Sequence, residues 1–265
     1  MTTEGERVAR VLDDCAALLE EYSKAFLPPD SDRGAAVAFA DHILRLARDH
    51  GLRTIRGMNL LLREDKGNIV LACALLRPFY ELSVRLLWAS REPDGWRRLE
   101  FYFANEIRKW AKGCQDSPSA GLSMLGASLL QEYRKDEVKK WRDASGKAIR
   151  PAPAIDQILN GIEGHDAPTD RTGGKNSGRL IYTGFYRTIC RASHAHIEPL
   201  VGRFDKAYLY VAGYGACLAV PVLLAAAIYY YSKSPRADVS SVYGRFLPLL
   251  ARLSFGENAG TTSRV

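Results

Sequence analysis

Tyr186, Arg187, Arg191 and His194 stand within nine residues of one another and are the side chains best suited to do chemistry. On a helix, residues three, four and seven apart share a face. Arg187, Arg191 and His194 have those spacings, and so do Tyr186, Cys190 and Ser193. The segment opens on the apolar Leu180, Ile181 and Phe185, so two arginines and one histidine emerge together from an apolar start. Metal-free RNA cleavage uses such groups. The ribose 2′-hydroxyl must lose a proton to attack the adjacent phosphate, and histidine titrates near working pH. The phosphate gains negative charge on the way, and arginine offers it planar, permanently charged donors. The same spacing also describes a polar helix face with His194 bonded to a neighbouring backbone carbonyl.

A second polar pair lies in Leu75-Leu76-Arg77-Pro78-Phe79-Tyr80-Glu81. Arg77 and Glu81 are one helical turn apart in an otherwise apolar stretch, where charges must be paired. They read either as a structural clamp or as groups that orient the arginines and histidine across a bundle. Two other patterns fail their tests. His194-Ala195-His196 puts two imidazoles on opposite sides of a helix, and no third ligand has suitable spacing, so no metal site is expected. Gly173-Gly174-Lys175 lacks the first glycine of a phosphate loop, since Thr169 stands there, and Asn176 replaces the required Ser or Thr.

The two segments together carry a resemblance. Leu75, Leu76, Arg77, Pro78 and Glu81, then Tyr186, Arg187 and His194, resemble the pattern of a bacterial family related to the HEPN superfamily (higher eukaryotes and prokaryotes nucleotide-binding), over about residues 60 to 215. The resemblance implies an all-α bundle, a homodimer and, for many members, a metal-independent endoribonuclease of toxin–antitoxin or anti-phage systems. It implies RNA as substrate, an antitoxin or activator as protein partner and no cofactor. The superfamily signature is an Arg followed by His after four to six residues; Arg187 and His194 have six between them. Arg187 and His194 are then the catalytic pair, with Arg191, Tyr186, Arg77 and Glu81 in support. Thr188 follows the arginine where such nucleases often have Asn, Asp or His, and Cys190 stands where this family tends to have Ser.

The elements that must position these residues read as helices. The chain has 265 residues, is 47% apolar and carries a net charge of +7. Such a chain can build a sizeable core, and the basic surplus either favours anionic partners or is an ordinary solvated surface. Five cysteines without a Cys-x-x-Cys pair, four of them inside apolar segments, read as small buried hydrophobes of a reducing compartment, not as disulfides or a zinc site. The first ten residues carry mixed charges and no apolar run, so a secretory signal is not expected and the cytoplasm is. Val8, Val11, Leu12, Cys15, Leu18, Leu19, Tyr22 and Phe26 form one helical stripe. Further helices are predicted over about 35–49, capped by Gly51, then 52–64, 69–90, 96–112, 122–141, a short piece near 154–162, and 177–197 with Ser177 as N-cap. The charge run 134–140 reads as a solvated helix face. The expected domain organisation is N-terminal helices over 1–66, a bundle over 67–254 that the resemblance makes HEPN-like, with a long Pro/Gly-rich loop at 143–178, and a disordered tail at 255–265.

Ala207 to Tyr231 has no charged residue and is long enough to span a bilayer. Lysines flank it and tyrosines gather at its ends. The central helix of a bundle, apolar on all sides, has the same composition. The other helices carry amphipathic stripes that need a common partner, which favours the bundle. Three functions stay open: the endoribonuclease, a non-catalytic module that binds nucleotide, RNA or a protein through the same face, and a helical protein anchored in a membrane by 207–231.

Overall fold

The protein is all-α. The structure, a computed structural model, describes residues 3–26, 39–64, 69–132, 147, 149–161, 185–193, 205–234 and 237–255. Among these residues there are nine helices and no strand. They are α1 (Thr3–Phe26), α2 (Phe39–Glu64), α3 (Ile69–Arg91), α4 (Gly95–Gln115), α5 (Ala120–Glu132), α6 (Ile155–Gly161), α7 (Arg187–Ser193), α8 (Asp205–Ser232) and α9 (Ser240–Phe255). They fall into two units, one formed by 1–91 with 154–265 and the other by 92–153.

In the larger unit, α8 is the axis. It packs chiefly on α3, then on α1, α9 and α2. Its sequence explains this role: Ala212, Ala216, Ala219 and Ala225 are fully buried and let neighbours approach closely. Gly213 faces Leu253 of α9 and Val8 of α1, while Gly215 faces Leu76 of α3 and Phe185 just before α7. By length and composition α8 could cross a membrane, but 78% of its most apolar window is buried inside the protein. Its all-round apolar surface is therefore covered by other helices, as in a bundle core. The stripe of α1 is buried as its spacing requires, from Val8 through Leu12 and Cys15 to Leu19.

One boundary differs from expectation. Gly51 does not cap a helix; α2 runs unbroken through it to Glu64. A Cβ there would lie 2.6 Å from Cε2 of Phe79 and 3.3 Å from Cδ2 of Leu19. The glycine lets α2 press against α3 and α1, and that packing outweighs its weak helix propensity of about 1 kcal/mol. The segment expected as a short helix near 154–162 is α6. The predicted N-cap Ser177, the charge run 134–140 and residues 256–265 of the expected tail lie outside the described residues, while Phe255, also expected in the tail, ends α9. The final helix α9, not singled out from the sequence, buries Val242, Phe246, Leu249 and Leu253 against α8 and α1.

The smaller unit is built on α4 and α5, which pack together. Gly126 permits it: a Cβ there would fall 2.4 Å from the Ala111 carbonyl oxygen and from the Gln115 backbone nitrogen. Asp94 precedes α4 with φ of 54°, a left-handed conformation that Asp tolerates better than most residues. The Ala152 N–H donates to the Arg98 carbonyl at 3.1 Å and ties the segment 149–153 to α4.

Candidate functional site

The polar residues of α3 and α7 meet. Arg77 Nε donates to Glu81 Oε1 at 2.8 Å, one turn along α3. The same oxygen accepts from the Tyr186 hydroxyl at 2.5 Å, 105 residues away in the chain. Both charged side chains are about a quarter exposed, at 26% and 24%. A partly solvated pair can keep its charge without the full cost of deep burial. The pairing across α3, expected as either clamp or orienting group, is thus a three-residue knot that fastens the start of α7 to the middle of α3.

Aromatic packing completes the fastening. Phe185 meets Tyr80 edge-on at 5.1 Å between centroids, and Tyr186 lies tilted over the same ring at 6.2 Å. Phe185 and Tyr186 enter α7 through a wide turn, and Ile189 one turn later is fully buried. Seven residues are far too few to hold a helix in water, so α7 exists because of these tertiary contacts.

Electrostatics follow from the knot. Burial, then the bond to Glu81, pushes the Tyr186 phenol far above its ordinary range, so it is a fixed donor and not a proton acceptor. The bond to Glu81 holds Arg77 more firmly in its charged form. Burial raises the Cys190 thiol, with Tyr186 and Arg77 pulling the other way. Cys190 is therefore no ready thiolate nucleophile.

The residue after Tyr186 is different. Arg187 is exposed. Locking Tyr186 inward turns its neighbour outward, so the knot presents a guanidinium to solvent. Of the residues proposed for chemistry, the structure brings together Tyr186, Arg77 and Glu81, and carries Arg187 on the adjoining surface. Arg191 is within α7, but its side chain, like all of His194 and His196, lies outside the described residues.

A groove of about 590 Å³ runs along the outer face of α3. Leu71, Ala74, Leu75, Arg77, Pro78 and Glu81 of α3 line it, with Leu61 of α2 and Ser193 of α7 at its sides. Pro78 sits inside the helix and has no N–H, so it cannot make the helical bond to the Ala74 carbonyl. The groove is within the usual range of small-molecule sites and is mostly apolar with a few polar groups, as such sites are. It escaped sequence reasoning. The available signal was the run of leucines on α3, of which Leu71 and Leu75 remain 55% and 42% exposed.

Among the described residues no three His, Cys, Asp or Glu side chains are grouped to hold a metal ion. The chain matches no protein-family model, no curated protein and no solved structure.

Proposed function

We propose that the face formed by α3 and α7 binds RNA, and that the chain is a metal-independent endoribonuclease. The observation that carries this reading is the knot at Glu81, which holds Tyr186 inward and leaves Arg187 exposed beside it. The spacing of Arg187 and His194, seven residues along one helical register, supplies the second group. In this mechanism His194 takes the proton of a 2′-hydroxyl, whose oxygen attacks the adjoining phosphorus. The bond to the 5′-oxygen breaks, that oxygen takes a proton from water or from the protonated His194, a 2′,3′-cyclic phosphate is left, and the guanidinium of Arg187 balances the charge gathered on the phosphate oxygens. Arg77, Glu81 and Tyr186 do not touch the phosphate; they set where α7 stands, and Arg191 adds positive charge. The HEPN resemblance adds a homodimer and a toxin–antitoxin or defence role with an antitoxin or activator, and the cysteine usage adds a cytoplasmic site of action.

The test is incubation with RNA and the matching DNA in EDTA. RNA alone should be cut, because only RNA carries the 2′-hydroxyl. Arg187→Ala and His194→Ala should each lower the rate on the order of a hundred- to ten-thousand-fold. His196→Ala, on the far side of the helical register, should do much less. Cleavage that needs a divalent metal or survives His194→Ala removes the mechanism. The groove beside Arg77 and Glu81 favours a second reading, a non-catalytic module that binds a nucleotide, RNA or a protein segment there. Retention of RNA without cleavage, lost on Arg187→Ala, selects it.

A further inference from the structure

Cys15 of α1 and Cys217 of α8 are 202 residues apart in sequence, yet their Sγ atoms are 3.6 Å apart. They are 0% and 1% exposed. Both thiols are free. A small apolar residue would fill either position as well as cysteine does, but here the two sulfurs point at one another. A disulfide needs the sulfurs at about 2.05 Å, so closure requires only about 1.5 Å of approach. The two helices that carry them are already packed together, since α1 is a main neighbour of α8.

We infer that Cys15 and Cys217 are a disulfide-forming pair, oxidised by a hydroperoxide to a bond that staples α1 to α8. The step balances. One thiol loses its proton and its sulfur attacks the O–O bond of hydrogen peroxide, which breaks to give a sulfenic acid and water. The second sulfur attacks the first, the S–O bond breaks, and its oxygen leaves as a second water with the remaining proton. Two thiols give up two electrons, and one peroxide is reduced to two waters. Peroxide is small enough to enter when α1 and α8 part briefly. The hydrogen bond between the two sulfurs, and then burial, keeps Cys15 protonated, well above the usual thiol range. The reaction is accordingly slow at rest and is a response to sustained oxidation, not a rapid sensor. The loop of chain that the bond closes, from residue 15 to residue 217, contains every helix from α2 to α7.

The experiment uses the full chain treated with hydrogen peroxide, then unfolded and alkylated. The expected result is a mass loss of about 2 Da with two alkylation sites missing, and a proteolytic peptide joining Cys15 to Cys217 that dithiothreitol releases. Thermal unfolding of the cross-linked form should move up by roughly 5 °C or more. Cys15→Ala and Cys217→Ala should each abolish the cross-link, while Cys73→Ala and Cys190→Ala should keep it. The wild-type peptide map stands without any variant. Oxidation confined to Cys190, a cross-link between other cysteines, or a cross-linked form less stable than the reduced one overturns the inference.

Discussion

Replacing Gly215 by alanine adds one methyl group where the helices are closest. An added Cβ would lie 2.1 Å from Cδ2 of Leu76 and 2.3 Å from Cζ of Phe185. Carbon atoms pack best at about 3.5–4.0 Å, so the methyl is more than 1 Å too near to two side chains at once. Neither can swing into free space. Leu76 is fully buried, and Phe185 is held edge-on against Tyr80. Overpacking costs about 1–3 kcal/mol, and two clashes at once place this site in the upper part of that range, at about 2–3 kcal/mol. Alanine returns about 1 kcal/mol through better helix propensity. The net loss is then about 1–2 kcal/mol, a fall in Tm of roughly 2–8 °C for a chain of this size. Gly57→Ala is the control, because its Cβ would meet only Cδ1 of Leu75 at an ordinary 3.6 Å. That change should stabilise by about 0.5–1 kcal/mol. Urea unfolding followed by far-ultraviolet circular dichroism measures both, and hydrogen exchange should show α7 loosening first in Gly215→Ala. If Gly215→Ala matches or exceeds wild type in stability, the close α8–α3–α7 packing is refuted.

Tyr186→Phe removes the donor to Glu81 but leaves the ring; it should cost about 1 kcal/mol, less than a fully buried charged bond because Arg77 and water still serve Glu81. Unchanged urea midpoints would show that the knot contributes nothing. His50 sits edge-on to Phe79 at 6.3 Å, and burial, then Arg53, lowers its pKa. Its folded form resists the proton that the unfolded chain accepts near 6.5, so stability is complete above that pH and declines below it. Wild type should therefore lose more stability than His50→Gln between pH 7.5 and 5.5, by urea titration at each pH; equal losses reject the assignment. If RNA binds across Arg187, then Arg187→Ala should reduce the slope of log binding constant against log salt by about 0.7, as expected for one phosphate contact on a single strand. An unchanged slope in filter binding places the RNA elsewhere.

The helices were readable because their apolar residues recur at helical spacing, as the buried stripe of α1 shows. Gly51 misled because glycine serves both as a cap and as a point of close approach, and only the presence of Phe79 beneath it decides which. Composition could not place α8 either, since a bilayer and a ring of helices demand the same apolar surface. Its burial among α3, α1 and α9 is what distinguishes them. At the site, the Arg77–Glu81 contact was legible as a one-turn spacing. Tyr186 was named in support beside them, but its bond to Glu81 was not legible, because no local pattern encodes a contact across 105 residues. The groove was invisible for a related reason: a concavity belongs to surfaces of three helices and to no one of them.

The central place of α8 has a consequence for how the chain is made. Synthesis runs from the N-terminus, and α3 is finished at Arg91 while its chief partner is finished only at Ser232, about 140 residues later. At roughly 5–20 residues per second that is a wait of about 7–30 s. Through that time α1, α2 and α3 can pair with one another, but the side of α3 that carries Leu76 has no α8 to cover it. The nascent chain thus offers a long-lived sticky surface to any chaperone near the ribosome exit. Slower growth temperature or extra nascent-chain chaperone should raise the soluble yield through that interval, with no change to the finished fold.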